Sequence, residues 1–152
     1  LAQLAHDRGE VPVCFQLLVY PMLDDRTVLR EDHGGRGAAV WTPSANLFGW
    51  SSYLGHEPTA GPERPYAAAA RRDDLTGLPP AWIGVGDRDL FHVEDLDYAT
   101  RLRAAGVACE LHVVPGMYHA TERFRPTAPS MVDFRRRVTE ALRGGLDRAS
   151  VA

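Results

Sequence analysis

The sequence predicts an α/β fold, a mainly parallel sheet flanked by helices, and three observations carry that prediction. The run VPVCFQLLVYPML at 11–23 is almost continuously apolar, as expected of a strand covered on both faces. From residue 81 the pattern alternates strand, helix, strand, helix, which right-handed crossovers turn into parallel neighbours. Three helical patterns stop at a glycine, Gly9, Gly55 and Gly106, the residue that most easily takes the left-handed conformation ending a helix.

Each element has its own justification. LAQLAHDRG opens the chain with Leu1, Leu4 and Ala5 at helical spacing, so it reads as the end of a helix that begins upstream. Residues 24–40, charged and Gly-rich, read as a loop. In TPSANLFGWSSYLG (42–55), Thr42 is the N-cap and Pro43 the first helical residue, and Leu47, Trp50 and Leu54 form an apolar face. A loop rich in Pro, Ala and Arg leads to LTGLPP at 75–80 and then to the strand AWIGVG at 81–86. The helix over 93–105 places Val93, Leu96, Ala99 and Leu102 on one face. VACELHVV (107–114) alternates, with Val107, Cys109, Leu111 and Val113 on one side. APSMVDFRRRVTEALRGGL closes the fold as an amphipathic helix through Met131, Phe134, Val138, Ala141 and Leu142.

Composition removes several classes of function. A net charge of −3, with no basic stripe interleaved with aromatics, argues against nucleic acid as a partner. Arg135, Arg136 and Arg137 are expected to form the wet face of the last helix. No apolar stretch approaches the ~20 residues of a membrane span, and no signal peptide is visible, although the first residue is not Met. Cys14 and Cys109 lie in apolar strand patterns and are expected to be reduced, buried thiols of a cytoplasmic protein. GVGDRD lacks the third glycine of a dinucleotide loop, and the acids around Asp87 lack the central Gly and final Glu of a calcium loop. The histidines show no zinc-ligand spacing. No cofactor and no metal are expected.

The informative stretch is VGDRDLFHVEDLDYA (85–99), where a strand runs into Asp87, Asp89, Glu94, Asp95 and Asp97. In open α/β sheets, ligands and catalytic groups collect beyond the carboxyl ends of the strands. Asp87 and Asp89 stand at the end of the strand 81–86, and His119, in PGMYHA, stands just past the end of 107–114. Parallel neighbours thus bring a carboxylate and an imidazole to one edge, the combination a general-base histidine needs to fix its tautomer. The pattern alone leaves a plainer reading open: acids favour helix N-termini for dipole reasons, and a loop histidine is usually just solvated.

From its first residues to about 146 the chain resembles the α/β-hydrolase fold, specifically carboxylesterases of the hormone-sensitive-lipase-like family. The stretches carrying the resemblance, in order, are LLVYPMLDDR, SANLFGWSSYLG, DDLTGLPPAWIGVGDRDLF, EDLDYATRLRAAGV and VPGMYHA. The family's Asp-Pro-Leu-like turn corresponds to Asp89-Leu90-Phe91 and its Pro-Gly-x-x-His motif to Pro115–His119. The resemblance therefore implies Asp89 as the orienting acid and His119 as general base and acid of a Ser-His-Asp triad. It leaves Asp87, Glu94, Asp95 and Asp97 as solvated helix-start acids.

The chain departs from the family in two places. Ala120-Thr121 stands where Gly-Phe often follows the histidine, which implies a reshaped pocket wall. No Gly-x-Ser-x-Gly elbow occurs in the 152 residues. HGGRG at 33–37 looks like an oxyanion segment but follows the wrong strand, and reads as a flexible glycine loop. Ser44, Ser51, Ser52, Ser130 and Ser150 lie in helix or tail contexts, so none is the nucleophile.

Residues 1–152 are accordingly expected to be the C-terminal portion of the hydrolase domain, the serine lying upstream. The implied function is a serine carboxylesterase acting on a small-molecule ester. The alternative is a catalytically inactive fragment, or a non-enzymatic interaction module that keeps the fold. The strand at 11–23 would then lack its other neighbour, which predicts a homo-oligomer or association with the missing N-terminal part.

Overall fold

The strands of the computed structural model, which describes residues 1–149, are Gln16–Val19 (β1), Ala81–Gly86 (β2) and Cys109–Val114 (β3). They lie in the order β1-β2-β3, and both pairings are parallel, with Gln16 opposite Ala81 and Ala81 opposite Cys109. The helices are Ala2–Arg8 (α1), Pro43–Leu54 (α2), His92–Ala104 (α3), Thr121–Phe124 (α4) and Pro129–Ala149 (α5). The α/β architecture matches the sequence prediction, and β2, between two strands and two helical layers, is buried at every residue.

Strand alternation sorts the core onto the two faces of the sheet. Leu18, Ile83 and Leu111 point to the face covered by Tyr98, Ala99 and Leu102 of α3. Leu17, Val19, Trp82 and Val114 point to the other, against Met131 and Phe134 of α5. Gly84 is needed there on steric grounds: a β-carbon would lie 2.3 Å from the Trp82 ring and 2.8 Å from Phe134. Thr42 caps α2 by accepting from Ala45 N at 3.2 Å, and Gly55 ends it at φ 84°, as the sequence predicts.

Several expectations need correction. β1 is four residues long rather than the whole of 11–23, because Pro12 and Pro21 bracket it and neither can donate to a ladder. Cys14 falls outside it and is exposed, and Cys109 is only half-buried, so neither thiol is a core residue. In α2, Trp50 and Leu54 are buried but Leu47 is 37% exposed.

The buried stripe of α3 differs from the predicted one. It runs through Glu94, Asp95, Tyr98, Ala99 and Leu102, leaving Val93 41% exposed. The positions one turn before Tyr98 and Ala99 are Glu94 and Asp95, so burying the former pair carries two acids inward. Arg136 does lie on a wet face of α5, paired with Asp133 and with Glu140, the latter at 2.7 Å.

Candidate active site

Asp89 follows β2 in a tight turn closed by its own N–H to Gly86 O at 3.2 Å. Its side chain is fully buried, and Oδ1 accepts from Phe91 N at 3.1 Å. That bond holds the carboxylate at the head of α3 and leaves Oδ2 facing His119, whose Nδ1 lies 3.0 Å away. A carboxylate only accepts, so Nδ1 carries the proton and Nε2 is left with its lone pair.

His119 reaches Asp89 because the segment after β3 folds back across the end of β2. Asp87 N donates to Val114 O and Arg88 N to Met117 O, each at 3.1 Å. The Asp87 carboxylate returns the link, accepting from Gly116 N at 2.7 Å, where Gly116 turns at φ 73°. Asp87 is therefore not a free helix-start acid: it fastens the histidine loop.

Three aromatic rings surround the imidazole. Ring centroids of Tyr20, Phe91 and Trp41 lie 4.5, 5.5 and 5.7 Å from it. Trp41 is itself placed by Asn46, which accepts from its Nε1 at 3.2 Å, and by Gly49, where a β-carbon would come within 3.1 Å of the indole. The HGGRG segment ends in this wall. Gly37 N donates to Arg88 O at 3.0 Å, and its Cα packs so near Leu90 that a β-carbon would stand 2.9 Å from it. The loop is thus anchored to the Asp89 turn at one end, where the sequence suggested only flexibility. Ala120, at the departure from Gly-Phe, takes φ 53°, the left-handed region a glycine enters at no steric cost.

The remaining acids divide. Asp97 is solvated as expected, 64% exposed and 3.9 Å from Arg101. Glu94 is buried and accepts from Leu23 N at 2.7 Å, from Asp24 N at 3.1 Å and from Thr27 Oγ1, tying the segment after β1 to the start of α3. Burial outweighs those hydrogen bonds and pushes its carboxyl up to about 7. Asp95 is buried with neither carboxylate oxygen hydrogen-bonded. Burial first, then the charges of Glu94 and Asp89, hold its carboxyl well above the usual range.

Ser44, Ser51 and Ser52 lie in α2, Ser130 lies in α5, and none stands on a strand-to-helix turn. Ser150 lies outside the described residues. Among the described residues no cluster of His, Cys, Asp and Glu could hold a metal ion. No helix among them is long and apolar enough to cross a membrane. Sequence reasoning missed Tyr20, Trp41 and Phe91 around the histidine. Phe91 entered only as part of the Asp89-Leu90-Phe91 turn, and Tyr20 and Trp41 only as an aromatic late in an apolar run and one before a helix cap, none of which points anywhere until the chain is folded.

A parallel sheet whose carboxyl edge joins a buried aspartate to a loop histidine is compatible with an α/β-hydrolase, and comparison with known proteins gives the family. Residues 1–123 match the alpha/beta hydrolase fold family profile, and the chain belongs to that family. It is 32% identical over 158 aligned residues to the carboxylesterase NlhH of Mycobacterium tuberculosis, covering 96% of this chain and 46% of that protein. It is 30% identical to the esterase LipI of the same organism, over 94% of this chain and 44% of that one. Among solved structures, a bacterial heroin esterase superposes with a TM-score of 0.84 at 37% identity, over 95% of this chain and 46% of that one. The esterase LipW from Mycobacterium marinum superposes at 0.78 with 34% identity, over 95% and 45%. The chain spans about half the length of the relatives it matches.

Proposed function

We propose that this chain is part of a serine carboxylesterase of the hormone-sensitive-lipase-like group, acting on small carboxylic esters. The observation that carries the reading is the 3.0 Å contact between His119 Nδ1 and the buried Asp89 carboxylate, within a chain of this family. Asp89 and His119 are two members of a Ser-His-Asp triad. The serine comes from a segment outside these 152 residues, since they contain no Gly-x-Ser-x-Gly.

The chemistry follows from the tautomer. His119 Nε2 takes the proton of the serine hydroxyl as its oxygen attacks the ester carbonyl, and Asp89 stabilises the imidazolium that forms. His119 then passes that proton to the departing alcohol. Water, activated by the same Nε2, hydrolyses the acyl-enzyme and regenerates the serine. Neither a metal nor a cofactor has a role in this sequence of steps. The setting is the cytoplasm, where Cys14 and Cys109 stay as thiols.

The chain without a nucleophile is inactive in this reading. The test is hydrolysis of a short p-nitrophenyl ester by the complete protein and by the 152-residue chain, each beside its His119→Ala variant. The complete protein should lose turnover on that substitution, and the chain alone should show none. His119-dependent turnover by the chain alone would require a nucleophile among its own residues. A complete protein indifferent to His119→Ala would remove the triad.

A further inference from the structure

Tyr20 stands directly after β1 with φ 38°, in the left-handed region that bulky residues rarely adopt. Strain of this kind persists only where the surroundings over-determine it, and it gathers at functional sites. Here three contacts hold it. Tyr20 N donates to Gly84 O at 2.7 Å, its hydroxyl donates to Glu122 Oε1 at 2.7 Å, and its ring meets His119 at a 63° interplanar angle. Glu122 keeps its bond although its other oxygen, Oε2, is buried without a partner.

Glu122 lies in α4, three residues beyond the histidine, and the left-handed Ala120 makes the turn between them. The hydrogen bond thus closes a loop from the end of β1, through Tyr20 and Glu122, back to His119. Asp89 grips the imidazole at one atom, so the tilt of the ring about the Nδ1···Oδ2 line depends on the aromatic rings packed around it. The nearest of these rings is that of Tyr20, and Glu122 pins it.

We infer that Tyr20 and Glu122 are positioning residues for His119, a latch that keeps the imidazole aligned with Asp89 while Nε2 gains and loses its proton. The inference rests on the esterase reading above. Burial, and then the bond to Glu122, push the Tyr20 phenol up to about 12, so it remains a proton donor over the working range.

The test uses the complete protein and a short p-nitrophenyl ester. Tyr20→Phe and Glu122→Ala should each lower kcat about three- to tenfold with KM nearly unchanged, the loss of one ordering hydrogen bond. Glu122→Gln keeps an acceptor oxygen and should restore kcat. The Nδ1–H proton resonance of His119 should be sharp in wild type and Glu122→Gln, and broadened in the other two. Tyr20→Phe deletes a single oxygen, and its thermal unfolding curve separates a lost latch from a lost fold. Unchanged kcat and resonance in a folded Tyr20→Phe protein would overturn the latch, as would a Glu122→Gln variant as impaired as Glu122→Ala. A rise in KM alone would overturn it too, by making Tyr20 a substrate contact. His119→Ala separates the two levels: if it stays active the esterase reading falls, and if only the latch variants behave as wild type the latch falls by itself.

Discussion

The carbonyl oxygen of Met117 lies 1.9 Å from where a β-carbon on Gly86 would stand. The last residue of β2 must therefore be glycine for the chain after β3 to cross above it and bring His119 back to Asp89. Gly86 lies within a strand, so the requirement is steric rather than conformational.

Gly86→Ala should accordingly strike activity harder than stability. Relief of the overlap costs about 1–3 kcal/mol of overpacking. The relief must come from the 115–119 loop, and a catalytic group misplaced by about 1 Å can cost ~10²-fold in rate. Esterase kcat/KM and thermal unfolding, measured on the same preparation of the complete protein, check this. A fully active alanine variant would show that the crossing is not what places His119.

Asp89→Asn tests the tautomer. An amide in place of the fully buried carboxylate can present a donor to Nδ1 and so favour the wrong protonated nitrogen. By analogy with other triads, kcat in the complete protein should fall ~10⁴-fold. A decrease of less than tenfold would mean that Asp89 does not orient the catalytic histidine.

Glu94 makes stability depend on pH with a definite sign. Its folded carboxyl is raised from 4.5 to about 7, so the folded state holds a proton that the unfolded chain has released. The stabilisation is complete below about 4.5 and is lost as pH rises towards 7. At about 1.4 kcal/mol per pKa unit, the decline amounts to roughly 3 kcal/mol across that window. Asp95, raised in the same direction, adds to it. Glu94→Gln keeps an acceptor for Leu23 N and Asp24 N, and should flatten the curve of unfolding free energy against pH. An equal slope in wild type and variant would assign the dependence elsewhere.

The outer side of β1 should govern self-association. Gln16 N and Tyr20 N point inward, to Pro80 O and Gly84 O, so strand alternation turns the N–H groups of Leu17 and Val19 outward. No other described strand lies on that side. An apolar groove of about 560 Å³ runs along it, lined by residues that include Leu1, Leu4, Val13 and Leu17. An edge of this kind templates pairing. Light scattering on the 152-residue chain should give a mass above the 16.7 kDa of one copy. Leu17→Lys or Val19→Pro should bring it down, the proline removing an outward donor only. A stable monomer indifferent to both would show the edge to be protected.

The class of fold is legible in the sequence, and so is the end of the sheet that Asp89 and His119 occupy. Apolar runs of strand length, glycine stops and strand–helix alternation are local signals, and their order specifies a parallel sheet without reference to any contact. They also place Asp89 and His119 at the carboxyl edge, because position along a parallel strand already says which end a residue occupies.

What surrounds those two residues follows from packing between segments far apart in the chain. The meeting of Tyr20, Trp41 and Phe91 at one imidazole depends on three segments distant in sequence, and no local pattern encodes it. Nor does local pattern separate Asp97 from Asp95: two acids one turn or less apart on α3 differ only in which side of the helix packs against the sheet. Helix rotation is set by the fit of Tyr98, Ala99 and Leu102 to the core, and the acids go where that fit carries them. Burial then decides their chemistry, since the same carboxyl is an ordinary anion in water and a reluctant one inside.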